Sequence, residues 1–305
     1  MNARAARRVL STCLPELPLR SVRRLGGGWD SDAFLVNGGT DAPLVFRFPK
    51  RAPVATQLER ELRLLPVLGP TLPAPIPRFS HVVRECGAAS LPFAGYPLLL
   101  GRQLSHLRLS PIKRSVLAGE LGRFLASLHA FPATKAAALG VQPADAAGGS
   151  VQLLAFLERA HGQIGPLLGE AERSRFASWL ASLPASDRFA FTPVLIHGDL
   201  HTGHILVDAA TGGLSGVIDF GDTRLGDAAL DFADLLSHPG AAFARQTLAA
   251  YGVAGAAAET LLRRAAVYVS LAPLQEALFG LYVSDEGHIE AGLAALRKTI
   301  ASCNS

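Results

Sequence analysis

A polar, carboxylate-rich segment over residues 191–234 separates helical patterns on either side of it. Apolar runs within it have the length of buried strands, and they predict three short strands, over 194–196, 204–207 and 216–218. His197-Gly198-Asp199 follows the first run, and Asp219-Phe220-Gly221 follows the last. Carboxylates on loops after neighbouring strands can meet at one point, so we expect Asp199 and Asp219 to lie close together.

A site for phosphoryl transfer needs this arrangement of carboxylates. One carboxylate orients or deprotonates the acceptor hydroxyl, and another, with a polar partner, holds Mg²⁺ on the nucleotide phosphates. Protein kinases supply these groups from an H-R-D-x-x-x-x-N loop and a D-F-G loop. Here Asp199, position 204 and Asp219 fall at the matching spacings.

The sequence resembles the family of antibiotic and small-molecule kinases, which includes aminoglycoside and macrolide phosphotransferases and writes its catalytic loop with His-Gly-Asp. The resemblance covers nearly the whole chain in the family's order, and it extends to Gly26–Asp30, Glu61, Phe93–Leu104, Gly226-Asp227 and Asp231-Phe232. Within the family, the chain is most similar to 2″-type aminoglycoside phosphotransferases. The resemblance implies an α+β, bilobal protein-kinase-like fold with a small β-rich N-terminal lobe and a larger, mainly helical C-terminal lobe. It also implies ATP or GTP as co-substrate and Mg²⁺ as cofactor.

The pattern along the chain divides it in the same way. Strand-like segments separated by turns occupy residues 19–50, and a helix is predicted over residues 56–68. Helical patterns dominate beyond Ile112, apart from an Ala/Gly-rich stretch over 133–150 that predicts a mobile loop. We therefore expect a nucleotide-binding lobe over residues 1–100, with a linker near 95–101, and a catalytic and acceptor-binding lobe over 102–305.

Carried over from the family, Asp199 is the catalytic base and Asp219 is the Mg²⁺ ligand. Position 204 is His where most kinases have Asn, and a neutral imidazole is a poorer partner for Mg²⁺ than an amide oxygen. His is nevertheless the pattern of macrolide kinases and 2″-acting aminoglycoside kinases, which implies His204 as a second metal ligand. The alternative for His204 is a buried histidine with satisfied hydrogen bonds. We expect His197 to support the loop and His201 to be solvated.

Two segments of the N-terminal lobe are expected to contact the nucleotide. Residues 26–31, Gly-Gly-Gly-Trp-Asp-Ser, stand where the family has its phosphate-covering loop. Gly27 and Gly28 let the backbone approach phosphates closely, and Ser31 offers a hydroxyl. The linker is expected to contact the purine through backbone groups of Leu98, Leu99 and Leu100.

The basic residue that contacts the phosphates differs from the usual one. Kinases place a Lys on the third strand, paired with a helix Glu. This strand carries Arg47 instead, with Lys50 just beyond it and Glu61 as the helix partner. A guanidinium holds phosphates bidentately, so we favour Arg47 over Lys50. A solvated charge at the strand edge is the alternative for Arg47.

Composition and charge argue against several other classes. Residues 1–105 carry 14 Lys and Arg against 7 Asp and Glu, but no basic run interleaved with aromatic residues indicates nucleic acid. Nearly apolar stretches of about ten residues are too short for a membrane span. The three cysteines, Cys13, Cys86 and Cys303, have the spacing of neither a zinc site nor a disulfide framework. We therefore expect a cytoplasmic protein without nucleic-acid or membrane partners.

The acceptor is expected to be a small cationic molecule. Residues 191–240 contain seven Asp and one Arg, and this acidic surplus favours a cationic antibiotic such as an aminoglycoside. Acceptor contacts are predicted from four residues, Asp222, Asp231, Glu276 and Tyr282. Asp231 also has a structural interpretation, and Asp227 is best explained as a helix N-cap.

Other functions stay open from the sequence. An apolar helix face with Leu271, Leu274, Leu278 and Phe279 would suit a macrolide, although residues at helical spacing are more often core. A kinase of a metabolite, such as a sugar or an amino alcohol, would use the same fold. A nucleotide-binding pseudokinase is the non-enzymatic alternative. The intact Asp199 and Asp219 argue against it, whereas Arg47 and His204, which depart from the usual kinase residues, keep it open.

Overall fold

The computed structural model describes residues 1–39, 42–142, 149–183 and 191–302. Its N-terminal lobe is built on an antiparallel sheet of five strands in the order β1-β2-β3-β5-β4. These strands are β1 Ser21–Gly27, β2 Ser31–Asn37, β3 Leu44–Pro49, β4 His81–Val83 and β5 Phe93–Pro97. Strand β3 has neighbours on both sides and five buried residues in succession, so Arg47 lies at the centre of the sheet.

A helix that the sequence did not predict closes one face of this sheet. Helix α1, Ala3–Cys13, buries Ala6, Val9 and Leu10 against the sheet residues Phe34 and Phe46. A disulfide links Cys13 at its end to Cys86, 73 residues later. The expectation of no disulfide is therefore wrong, because the fold brings together cysteines whose spacing gives no signal. The argument from cysteine spacing for a cytoplasmic protein loses its basis as well.

Helix α2, Ala52–Leu68, confirms the helix predicted over residues 56–68. Leu58, Leu65 and Leu68 are buried on one side, and Glu61 shares that side because it lies three residues from Leu58 and four from Leu65. The apolar periodicity of α2 thus aims an acidic side chain into the lobe interior.

The C-terminal lobe is mainly helical and has two apolar cores. Its helices are α3 Pro111–His129, α4 Ala133–Ala138, α5 Gly149–Ile164, α6 Glu170–Ser182, α7 Ala233–Leu235, α8 Ala241–Tyr251, α9 Gly255–Val283 and α10 Glu286–Ser302. Its short strands are β6 Arg102–Gln103, β7 Val194–Ile196, β8 Ile205–Val207, β9 Leu214–Val217 and β10 Arg224–Gly226. The prediction of a loop over all of 133–150 is wrong at α4, where Ala-rich sequence favours helix, and residues 143–148 lie outside the described part of the chain.

Helix α9 has the length and composition of a membrane-crossing helix. It joins apolar stretches that are short individually, so the sequence estimate of about ten residues understated its reach. Eight of its residues are buried, among them Leu261, Leu271 and Leu274, which lie in the two cores of the C-terminal lobe. Packing in these cores therefore explains why α9 has the apolar composition that a membrane-spanning helix would also have.

Candidate active site

A buried aspartate holds the loop after β7 in place. Asp231 is fully buried, and its carboxylate accepts hydrogen bonds from the backbone N–H groups of His197 (2.8 Å) and Gly198 (2.9 Å). Its Oδ2 also lies 3.0 Å from His129 Nε2. Burial alone would raise the pKa of Asp231, but the bonds from His129 and the loop hold it below its ordinary value. The predicted acceptor contact by Asp231 is therefore wrong, because a carboxylate enclosed in this way cannot reach an acceptor.

His197 joins the two loops that carry the predicted catalytic groups. Its Nε2 donates to the carbonyl of Ile218 (3.0 Å), and its Nδ1 accepts the backbone N–H of Asp199 (3.3 Å). Complete burial lowers the pKa of His197 to about 4, so the imidazole stays neutral and both bonds persist at neutral pH. One side chain thus fixes the distance between the Asp199 loop and the Asp219 loop.

The carboxylates of Asp199 and Asp219 lie on either side of one imidazole. His204 Nδ1 donates to the carbonyl of Asp199 (2.8 Å) and lies 3.6 Å from its carboxylate oxygen Oδ2. The Nε2 atom lies 3.6 Å from Oδ2 of Asp219. Nε2 therefore faces the Asp219 carboxylate. No hydrogen bond reaches Nε2 from the described residues, so the interpretation of His204 as a fully satisfied histidine is wrong.

Backbone conformation and charge both mark Asp219 as special. Its φ of 66° lies in the left-handed region, which costs a non-glycine residue about 1–3 kcal/mol unless the surroundings impose it. Arg47 Nη2 donates to Oδ1 at 2.9 Å, which leaves Oδ2 directed toward His204. Burial would raise the pKa of Asp219, but Arg47 and His204 keep it below its ordinary value. The carboxylate is therefore ionised at neutral pH.

Asp219 Oδ2 and His204 Nε2 fit a divalent cation. They are a carboxylate oxygen and an unpaired imidazole nitrogen, close enough to bind one ion together. A second group of donors, Asp199, His201 and His204, has its ligand atoms within 4.8 Å of one another. His201 Nδ1 accepts the N–H of Gly203 (3.0 Å), which places its proton on Nε2, the atom that would have to bind the ion. The Asp219–His204 pair is thus the better cation site.

Arg47 contacts the acidic groups Glu61 and Asp219, whereas Lys50 contacts the glycine-rich loop. The Arg47 guanidinium bridges Glu61 Oε2 (2.8 Å) and Asp219 Oδ1 (2.9 Å), and it is only 8% exposed. The alternative of a solvated edge charge is therefore wrong. Lys50 instead donates to the carbonyl of Gly28 (2.6 Å) in the glycine-rich loop. Burial raises the pKa of Glu61 to about 7, and the Arg47 charge opposes that rise.

The remaining predicted nucleotide residues lie at the turn between β1 and β2 and directly after β5. The Ser31 hydroxyl is buried, and no described residue gives it a hydrogen-bond partner. Such an orphaned donor suits a ligand oxygen. Beyond β5, the Leu98 N–H donates to the carbonyl of Pro43 (2.8 Å), and Leu100 is largely exposed. Contacts of Ser31, Gly27, Gly28 and the Leu98–Leu100 linker with nucleotide stay predictions.

The predicted acceptor residues lie in different places. The carboxylate of Asp222 accepts a hydrogen bond from Gln57 (3.2 Å), and its charge contributes to the field at Asp199. Tyr282 lines a cavity of about 740 Å³ together with Phe279 and Gln275. Glu276 does not line this cavity and pairs with His288 (2.7 Å). Asp227 is the N-cap predicted for the turn after β10, with its carboxylate on the N–H of Ala229.

Sequence reasoning missed one wall of this cavity and an aromatic contact to one of its lining residues. Phe156, Arg159 and Gln163 of α5 line it, although their helix was predicted only as a structural element. Trp29 of the glycine-rich loop stacks on Phe279. A large aromatic residue within a phosphate-covering loop was the available signal for Trp29, whereas nothing in the sequence of α5 distinguishes a cavity wall from core.

Activity should depend on the ionisation of Asp199. Partial burial and the charges of Asp222 and Asp219 raise the pKa of Asp199 to about 7, and His201 opposes this rise. A general base must be unprotonated, so kcat/KM should fall about tenfold per pH unit below pH about 7. Asp222→Asn removes one raising charge and should move this limb to lower pH. Profiles of kcat/KM against pH for both proteins test this, and a flat profile would contradict it.

The fold defines a kinase-type phosphotransferase. Within it, Arg47 contacts Asp219, and His204 lies between Asp219 and Asp199. A family model agrees over residues 21–267: the chain belongs to the phosphotransferase enzyme family APH. Among curated proteins, it is 26% identical to the uncharacterized protein YcbJ of Bacillus subtilis (strain 168), over 89% of this chain and 88% of that protein.

Solved structures show the same likeness. The GDP and kanamycin complex of APH(2")-IIia is 31% identical to this chain, with a TM-score of 0.83 over 97% of this chain and 98% of the other. The apoenzyme of macrolide 2'-phosphotransferase MphH from Brachybacterium faecium is 26% identical, with a TM-score of 0.73 over 96% and 97%. The predicted protein-kinase-like fold is therefore confirmed, and so is the predicted enzyme class.

Proposed function

We propose that this protein transfers the γ-phosphate of ATP or GTP to a hydroxyl of a cationic antibiotic, an aminoglycoside first of all. The observation that carries the proposal is the closeness of Asp199 and Asp219, whose carboxylates each lie 3.6 Å from a ring nitrogen of His204. A structure at 31% identity with GDP and kanamycin bound supports both the nucleotide and the acceptor class. Resistance to the antibiotic would be the physiological result.

The chain's own residues divide the proposed reaction between them. Asp199 accepts the proton of the acceptor hydroxyl. At the same time the hydroxyl oxygen of the acceptor forms a bond to the γ-phosphorus, in line with the leaving nucleoside diphosphate. Arg47 and the loop over residues 26–31 bind phosphate oxygens, and Glu61 holds the Arg47 guanidinium in place. Asp219 and His204 would hold Mg²⁺, which neutralises charge on the transferring phosphates. No phosphoenzyme is needed, since one carboxylate serves the acceptor directly.

Nucleoside diphosphate release tests the proposal. The protein is incubated with Mg²⁺, either ATP or GTP, and each of a panel of aminoglycosides and macrolides. We expect release that depends on an aminoglycoside and is lost in Asp199→Ala. Release without regard to the acceptor would contradict transfer to an antibiotic. Tight nucleotide binding with no turnover on any panel member would favour a metabolite kinase or a pseudokinase.

A macrolide acceptor is the second candidate, and the cavity beside α9 favours it. The cavity is lined by three aromatic residues and two leucines, with Arg159 as its one charged residue among the described part of the chain. Acidic groups lie instead at the catalytic end, at Asp199 and Asp222. An acceptor with a cationic sugar at the reacting end and an apolar body would match this division. Turnover with a macrolide and none with an aminoglycoside would establish this second candidate.

The proposed location is the cytoplasm, where ATP and GTP are available to a kinase. The Cys13–Cys86 disulfide is unusual for that compartment, because cytosolic thiols are kept reduced. We also propose that neither nucleic acid nor a membrane is a partner, since the basic N-terminal part has no aromatic-interleaved basic run.

A further inference from the structure

The glycine-rich loop contacts the C-terminal lobe through an aromatic stack. The indole of Trp29 lies on the ring of Phe279 in α9, with ring centroids 3.9 Å apart and planes 9° from parallel. Trp29 is 44% exposed, so solvent reaches a large part of the indole. A loop that is expected to cover phosphates therefore has its tip fastened to the opposite lobe.

Arg51 makes a second contact to the same face of α9. Its guanidinium carbon lies 5.5 Å from the centroid of Phe279 and 5.3 Å from that of Tyr282, within the range of cation–π attraction. Arg51 is also ion-paired with Asp30, the residue after Trp29. The two contacts thus act as one unit, which we call the clasp: Trp29, Asp30 and Arg51 on one lobe, Phe279 and Tyr282 on the other.

The C-terminal side of the clasp is held in a defined position. His288 of α10 packs edge-on against Trp29, with centroids 5.3 Å apart, and against Phe279, at 5.2 Å. Glu276 fixes the imidazole through Nδ1 at 2.7 Å. The surface that receives Trp29 is therefore built by two helices and does not depend on the loop alone.

The clasp connects the two ligand regions of the proposed reaction. On the nucleotide side, Lys50 donates to the carbonyl of Gly28, the residue before Trp29. Ser31, two residues after Trp29, has a buried hydroxyl with no hydrogen-bond partner among the described residues. On the other side, Phe279 and Tyr282 line the 740 Å³ cavity. A movement of the loop therefore changes the contacts of Phe279 at the cavity wall, and a molecule bound in the cavity changes the contacts of the loop.

We propose that Trp29 is a positioning residue that holds the glycine-rich loop over the nucleotide phosphates by stacking on Phe279, so that nucleotide and acceptor strengthen each other's binding. This inference rests on the proposed function, because it assumes phosphates beneath the loop and an acceptor in the cavity. Linkage makes the effect reciprocal: the factor by which nucleotide raises acceptor affinity equals the factor by which acceptor raises nucleotide affinity.

The first test measures nucleotide affinity in stacking variants. An aromatic pair contributes about 0.5–1.5 kcal/mol beyond its buried area, which corresponds to about a twofold to tenfold change in affinity. Trp29→Ala should weaken GTP and ATP binding by up to about tenfold, whereas Trp29→Phe, which keeps the stack, should stay within about twofold. Val82→Ala removes an exposed apolar residue at the far edge of the sheet and should change nothing.

A double-variant cycle separates coupling from a merely local effect. Phe279→Ala lies in the other lobe, yet it should weaken nucleotide binding as much as Trp29→Ala does. The double variant should be no weaker than either single variant, because both remove the same contact. Additive losses, or unchanged nucleotide affinity in Phe279→Ala, would overturn the proposal.

Fluorescence gives a readout that needs no turnover. The chain has two tryptophans, and the other, Trp179, is buried in the second core of the C-terminal lobe. In Trp179→Phe all tryptophan emission comes from Trp29. If Trp179→Phe folds poorly, the difference spectrum between the parent protein and Trp29→Phe supplies the same signal.

GTP with Mg²⁺ should shield Trp29 from quenching by acrylamide, and kanamycin should enhance the shielding. Unchanged quenching on adding GTP would overturn the clasp. Shielding by GTP without turnover on any antibiotic would instead leave the clasp standing and refute the proposed function.

Discussion

Replacing Asp199 by asparagine should lower kcat by about 10²–10⁴-fold, the range over which positioned general bases act. Asparagine keeps the size of the side chain, and the loop keeps its support, since His197 and Asp231 bind the backbone rather than the carboxylate. What is lost is the group that accepts the hydroxyl proton. The measurement is kcat and KM with nucleotide and the acceptor that the release panel identifies.

The matched control for this variant is Asp208→Asn. Asp208 lies beyond the same loop, in a turn where its carboxylate accepts the N–H groups of Ala210 and Thr211. It should leave kcat unchanged within about twofold. Nucleotide affinity should also be unchanged in Asp199→Asn, because the base contacts the acceptor. An Asp199→Asn protein that turns over at the parent's rate would remove Asp199 from the mechanism.

The centre of the site could be predicted because its groups lie in two short segments with fixed spacing. The physical reason differs from the one expected from the sequence. Strand β7 pairs with β10 and β9 pairs with β8, so the strands before the two loops belong to separate sheets. What brings Asp199 and Asp219 together is the buried imidazole of His197 on the Ile218 carbonyl. A motif thus located the groups without revealing the contact that places them.

The contacts that the sequence did not reveal join distant parts of the chain. Asp231 is buried because His129, 102 residues earlier, reaches its carboxylate. The Cys13–Cys86 bond and the Trp29–Phe279 stack likewise depend on how α1 and α9 pack. A count of acidic residues does not distinguish buried carboxylates from exposed ones. For this reason the prediction based on the acidic surplus wrongly placed Asp231 among the acceptor contacts. Whether a charge is free or enclosed depends on its tertiary partners.

Replacing Asp219 by asparagine should abolish the dependence of nucleotide binding on Mg²⁺ and lower turnover by about 10³-fold or more, since charge stabilisation at the phosphates is the main catalytic effect in phosphoryl transfer. Asparagine is the better variant than alanine because it tolerates the left-handed conformation, φ 66°, that position 219 requires. An amide oxygen remains next to His204, but it carries no charge. The measurement is the dissociation constant of GTP or ATP with and without Mg²⁺.

The fold should survive this substitution, which separates a ligand from a structural carboxylate. Arg47 loses one partner but keeps Glu61 at 2.8 Å, and Glu61 is relieved of the Asp219 charge that helps to raise its pKa. Removing one partner of a buried pair costs about 3–5 kcal/mol when the other charge is left alone, which is not the case for Arg47. We therefore expect thermal unfolding close to that of the parent protein. A collapse of the circular dichroism signal in Asp219→Asn would mean that Asp219 holds the two lobes together through Arg47, and its part in cation binding would then have to be given up.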